Sequence, residues 1–82
     1  MKFKAGDLIQ TKVDGVIDCE AIVLRHWKTK SEYQSCGFFD SVLLHITFDR
    51  SFPEYNGKSD TYPTFRDSRW ELKKNYIQRG PP

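Results

Sequence analysis

A chain of 82 residues has room for one domain with a modest core, since a fold of this size buries only roughly 60% of the surface its unfolded form exposes. Hydrophobic residues make up 38% and charged residues 29%, and no run approaches the roughly 20 apolar residues of a membrane-spanning helix. Net charge is only +2, which excludes a strongly polybasic or polyacidic protein, but segment 66–82 sets five basic residues against two acidic ones and so holds the positive excess. The start, MKFKAGDLIQ, lacks the apolar core of a secretory leader, so a cytoplasmic protein with no membrane partner is expected. Cys19 and Cys36 lack CxxC spacing and are expected as free thiols packed like small hydrophobes.

Residues 6–27 read as two strands around Asp14-Gly15, a strong hairpin signal because glycine takes positive φ at little cost. In the second strand, Ala21, Ile22, Val23 and Leu24 do not alternate, which predicts a central strand covered on both faces. Residues 28–37 are polar, end in glycine, and predict a loop. A strand over 38–48 follows. Val42, Leu44, Ile46 and Phe48 share one face, and Ser41, Leu43, His45 and Thr47 the other.

Residues 49–65 lose all periodicity, with two prolines and Asn56-Gly57, and predict a long loop rich in rings in which Asn56-Gly57 closes a small hairpin. No window sustains apolar residues at helical spacing, so the chain is expected to be all-β. Near the end, RWELKKNYIQR breaks one strand-like run with three polar residues before a second. Three residues make no parallel crossover, so a 3₁₀ turn at 73–75 is expected, swinging 76–79 round to close the sheet.

This order of elements resembles the Src-homology-3-like small barrel, which includes the Tudor and KOW groups. The resemblance rests on FKAGDLI, AIVLRHW, SVLLHITF and RWEL-KKN-YIQ. It implies a single domain over 1–82, with a five-stranded barrel over about 3–79, a 3₁₀ turn before the last strand, a long loop at about 49–65, and a tail at 80–82. Val23, Val42, Leu44, Ile46 and Trp70 are the expected core. Tudor-like barrels also hold methylated cations in ring cages, for which Trp27, Tyr33, Tyr55, Tyr62 and Phe65 are the candidates.

Catalysis is not expected. Cys19, Cys36, His26 and His45 match no compact metal-ligand or Cys/His spacing, carboxylates are scattered singly, and the glycines build no phosphate loop. No cofactor, metal or small-molecule substrate is therefore foreseen. What remains is binding. Arg66, Arg69, Lys73, Lys74 and Arg79, interleaved with Trp70 and Tyr76, suit nucleic acid or a complex working on it, since cations reach phosphates and rings stack on bases. The alternative is a small protein-binding inhibitor or adaptor, by analogy with phage accessory proteins, which engages a larger protein partner through Phe52, Tyr55, Tyr62 and Phe65.

Overall fold

The computed structural model describes residues 1–30 and 37–75. Five strands follow in chain order: β1 (Asp7–Val13), β2 (Val16–Lys30), β3 (Phe38–Asp49), β4 (Ser59–Tyr62) and β5 (Glu71–Asn75). Short 3₁₀ turns stand at Pro53–Tyr55 and Asp67–Arg69. The strands form one antiparallel sheet in the order β4-β3-β2-β1-β5. The described residues are all-β, as expected, and no helix among them is long and apolar enough to cross a membrane.

The β1–β2 turn is made by its two central residues. Asp14 (φ 53°) and Gly15 (φ 77°) both lie in the left-handed region, the pattern of a type I′ turn whose twist matches that of its flanking strands. Val13 and Val16 then pair directly. Beyond the turn, β2 runs on through Lys28–Lys30, which pair with Asp40, Phe39 and Phe38. Residues 28–30 of the expected loop therefore belong to β2, because lysine and threonine fit a strand as well as a connector. Residues 31–36 lie outside the described part.

Two bulges explain where alternation fails. On β2, Val23 pairs with Leu44 and Arg25 with Leu43, so Leu24 is an extra residue and lies exposed. The apolar run 21–24 reflects this bulge and not two-sided cover, although β2 is central as expected. On β3, Ala21 pairs with Ile46 and Glu20 with Phe48, leaving Thr47 extra, its hydroxyl donating to the Glu20 carbonyl at 3.1 Å. That single insertion turns Phe48 away from the face of Ile46, and the ring is 39% exposed.

The core lies on one face of the sheet. Ile9, Ala21, Val23, Val42, Leu44 and Ile46 are buried there, and Phe3 and Phe65 cover them, with Met1, Cys19 and Trp70 packed at the margin. Full burial of each large aliphatic side chain contributes about 1.5–3 kcal/mol, so these strands supply most of the driving force. Of the expected core, Trp70 alone is only half-buried.

The long 49–65 connection is more ordered than a loop. The Asp49 carboxylate accepts from the amides of Ser51 (3.1 Å) and Phe52 (2.9 Å), and the Asn56 side chain accepts from the Asp49 amide (2.6 Å). With Asn56 at φ −59°, ψ 128° and Gly57 at φ 80°, these two residues centre a type II turn, which needs glycine at its second central position. That turn leads into β4, which pairs with β3 rather than closing a hairpin of its own.

The C-terminal expectation needs correcting. KKN is no 3₁₀ turn. Glu71, Leu72, Lys74 and Asn75 pair with Gln10, Ile9, Leu8 and Asp7 of β1, and Lys73 is the extra residue of a bulge. The turn before this strand lies at Asp67–Arg69 instead. Polar residues suit an edge strand, where outward-facing side chains meet water. The expected closing strand 76–79 and the tail 80–82 lie outside the described residues. Within those residues the sheet is open, with β4 and β5 at its edges, so the ladder does not form the closed barrel.

Candidate nucleic-acid interface

The segment between β4 and β5 crosses the end of the core face and carries a groove of about 320 Å³, lined by Tyr62, Thr64, Phe65, Arg66, Arg69 and Trp70. Two backbone contacts anchor it. The Ser41 hydroxyl donates to the Pro63 carbonyl at 2.7 Å, and the Phe65 amide donates to the Asp40 carbonyl at 2.9 Å. Phe65 thereby enters the core, where its ring meets Phe3 edge-on at 6.4 Å and lies tilted against Trp70 at 5.7 Å.

The 3₁₀ turn then sets the charges. The Arg69 amide donates to the Arg66 carbonyl at 3.2 Å and the Trp70 amide to the Asp67 carbonyl at 3.1 Å. Arg66, extended just ahead of the turn, and Arg69, its last residue, both line the groove. Neither lies within ion-pair distance of a carboxylate among the described residues. Asp67, between them, is turned aside and accepts the Lys2 amide at 2.9 Å.

Next to this segment, Asp40 gathers cations. Lys28 Nζ lies 2.6 Å from Oδ1, His26 Nε2 3.0 Å from the same oxygen, and the Met1 amine 3.6 Å from Oδ2. Hydrogen bonds from Lys28 and His26 hold the Asp40 pKa at about 2, below its ordinary 3.8. Lys2 and Lys28 thus border this segment, Lys2 through its main-chain amide and Lys28 through Asp40, without lining the groove. Neither lysine is legible as its neighbour, because Lys2 meets Asp67 across 65 residues of chain and nothing local announces that contact.

The sequence-derived sites are redistributed. Arg66 and Arg69 share the groove. Lys73 instead pairs with Glu20 of β2. The side chain of Lys74 and all of Arg79 lie outside the described residues. Of the aromatic set, Phe52 and Tyr55 stack on each other at 5.7 Å, while Tyr62 and Phe65 join the arginines. Tyr62 also lines a second hollow of about 300 Å³ with Ile46, Tyr55, Lys58, Ser59 and Asp60. Among the cage candidates, Trp27 carries the Arg25 guanidinium 5.0 Å over its ring, and Tyr33 lies outside the described residues.

Both histidines have local partners. His26 engages Asp40, and half-buried His45 engages the Ser59 hydroxyl at 3.0 Å. Burial raises the Cys19 thiol pKa to about 11, helped by the charges of Asp49, Asp18 and Glu20. Cys36 lies outside the described residues. Among the described residues no three His, Cys, Asp or Glu side chains gather in a metal-binding group. No family model matches the chain, and neither any curated protein nor any solved structure does.

Proposed function

We propose that the chain is a non-catalytic binding module of Src-homology-3-like build that engages nucleic acid, or a complex working on it. The observation that carries this reading is the union, in one groove, of three rings with two guanidinium groups that have no ion pair among the described residues. Fixed cations attract phosphates and release their counterions, and rings offer faces to bases. Support for the build comes from the meander β1 to β4 and from the 3₁₀ turn just ahead of a last strand that returns to β1. The test is the affinity of the whole chain for labelled DNA and RNA as salt is raised. Affinity should fall steeply with salt, and an Arg66→Glu, Arg69→Glu variant should lose most of it, with a slope shallower by about 1.4 on single strands or about 1.8 on duplex DNA for two lost phosphate contacts. Absence of salt-dependent binding by the wild type would end this reading.

A second reading is favoured by a separate feature. Phe52 and Tyr55 stand 53% and 47% exposed and stack together, a compact apolar knob of the kind that anchors protein interfaces. In that case the chain is a protein-binding adaptor or inhibitor. Its binding would survive nuclease and high salt, and would be lost in a Phe52→Ser, Tyr55→Ser variant.

A further inference from the structure

The groove has two kinds of wall, and single-stranded nucleic acid is the polymer that uses both. We infer that it takes an unpaired base against Tyr62 and Trp70 while Arg66 and Arg69 hold the adjacent phosphates. This inference rests on the nucleic-acid reading above and narrows it to a ligand class.

Ring faces are the first argument. Stacking on a side chain needs a base whose own face is uncovered, as in a single strand and not inside a duplex. Trp70 is held ready for this. Phe65, itself 8% exposed, backs it at 5.7 Å with the planes 32° apart, so core packing limits the loss of freedom on binding. Tyr62 lines the same groove from the end of edge strand β4. The groove volume of about 320 Å³ is at the small end of ligand sites, enough for one flat ring system and too little for a folded domain.

Geometry against duplex recognition is the second argument. Reading a major groove calls for an inserted α-helix or two-stranded ribbon. The described residues contain no α-helix. The β1–β2 ribbon ends in Asp14 between exposed Val13 and Val16, a tip that phosphates would repel, and nearby Lys12 is paired with Glu71. The third argument is charge. Arg66 and Arg69 both line the groove beside the rings, and Asp67 is engaged by the Lys2 amide, so the lip of the groove is positive where a backbone would pass.

The experiment uses the whole chain with labelled oligothymidylate and oligouridylate of about ten nucleotides, within the usual footprint of small single-strand binders, and a mixed-sequence duplex of the same length. Both single strands should bind about tenfold or more tightly than the duplex. In a Trp27→Phe background, the fluorescence of Trp70 should quench as they bind. Tyr62→Ala should weaken binding by about fivefold to a hundredfold, as loss of one stacked base does, and Tyr62→Phe should restore it. Tyr62 lies on an exposed edge, so these variants keep the fold, which a thermal melt verifies. The tighter of the two single strands names the polymer, and either one bound in this way supports the inference. Equal or tighter duplex binding, with Tyr62→Ala silent and Trp70 unquenched, overturns the single-strand inference and leaves nucleic-acid binding standing. No binding of any probe removes both.

Discussion

The ring of Phe65 lies 5.7 Å from that of Trp70, and this contact joins the hydrophobic core to the groove. Phe65 is the buried half of the pair and Trp70 the half-exposed one. Removing the buried ring should therefore damage both fold and site. Phe65→Ala is expected to cost roughly 3–5 kcal/mol in urea unfolding, the usual loss for a large buried ring. A loss below about 1 kcal/mol would show that Phe65 is not a core residue.

Asp40 makes stability depend on acid. Its pKa in the fold is about 2 against an ordinary 3.8, with Lys28 first among the causes and His26 second. The charged form is the stabilised one. Its contribution is therefore complete above about pH 4 and disappears as pH falls through about 2. Asp40→Asn should be less stable than wild type at pH 6, with the gap closing toward pH 2. Chemical denaturation at several pH values measures it, and a constant gap contradicts the assignment.

Cys19 should be a slow thiol. Its pKa stands at about 11 in place of 9.0, mainly through burial. Thiolate is the reactive form, so two units cut its fraction at pH 8 by about a hundredfold. A thiolate of higher pKa is also more nucleophilic, so alkylation of the native chain, followed by peptide mass spectrometry, should label Cys19 at least about tenfold more slowly than free cysteine. Comparable rates would place Cys19 at an open surface.

Much of the sheet was legible because its signals are local. Asp14-Gly15 names its own turn, and the alternation of Val42, Leu44 and Ile46 names a core face. The errors over Leu24, Phe48 and KKN share one physical origin. Bulges at Leu24, Thr47 and Lys73 each add one residue to a ladder, and no pattern of residue types fixes where a partner strand will slip. Phe48 was thus assigned to the wrong face, and KKN to a turn. Strand β4 was hidden for another reason: SDTY is polar and exposed throughout, so only its pairing with β3 makes it a strand. The groove was half legible. Charge clustering put Arg66 and Arg69 together, but sequence proximity carries no information about the pairing of Lys73 with Glu20 of β2.

Lys73 provides a control for that distinction. Its ammonium pairs with Glu20, with side chains 41% and 17% exposed. Pairs this open contribute about 0–1 kcal/mol, so Lys73→Ala should leave stability within that range. Affinity for nucleic acid should change less than twofold, in contrast to the Arg66→Glu, Arg69→Glu variant. A large loss of affinity in Lys73→Ala would move the interface onto β5.

The most direct test of the groove is a nuclear magnetic resonance titration of the isotope-labelled chain with oligothymidylate of about ten nucleotides. The Trp70 indole N–H, the side-chain signals of Arg66 and Arg69 and the amides around Tyr62 should shift together and saturate at one stoichiometry. The Trp27 indole and the Phe52–Tyr55 knob should stay in place. Shifts confined to that knob or to the Val13–Val16 turn, with Trp70, Arg66 and Arg69 unmoved, would contradict the account.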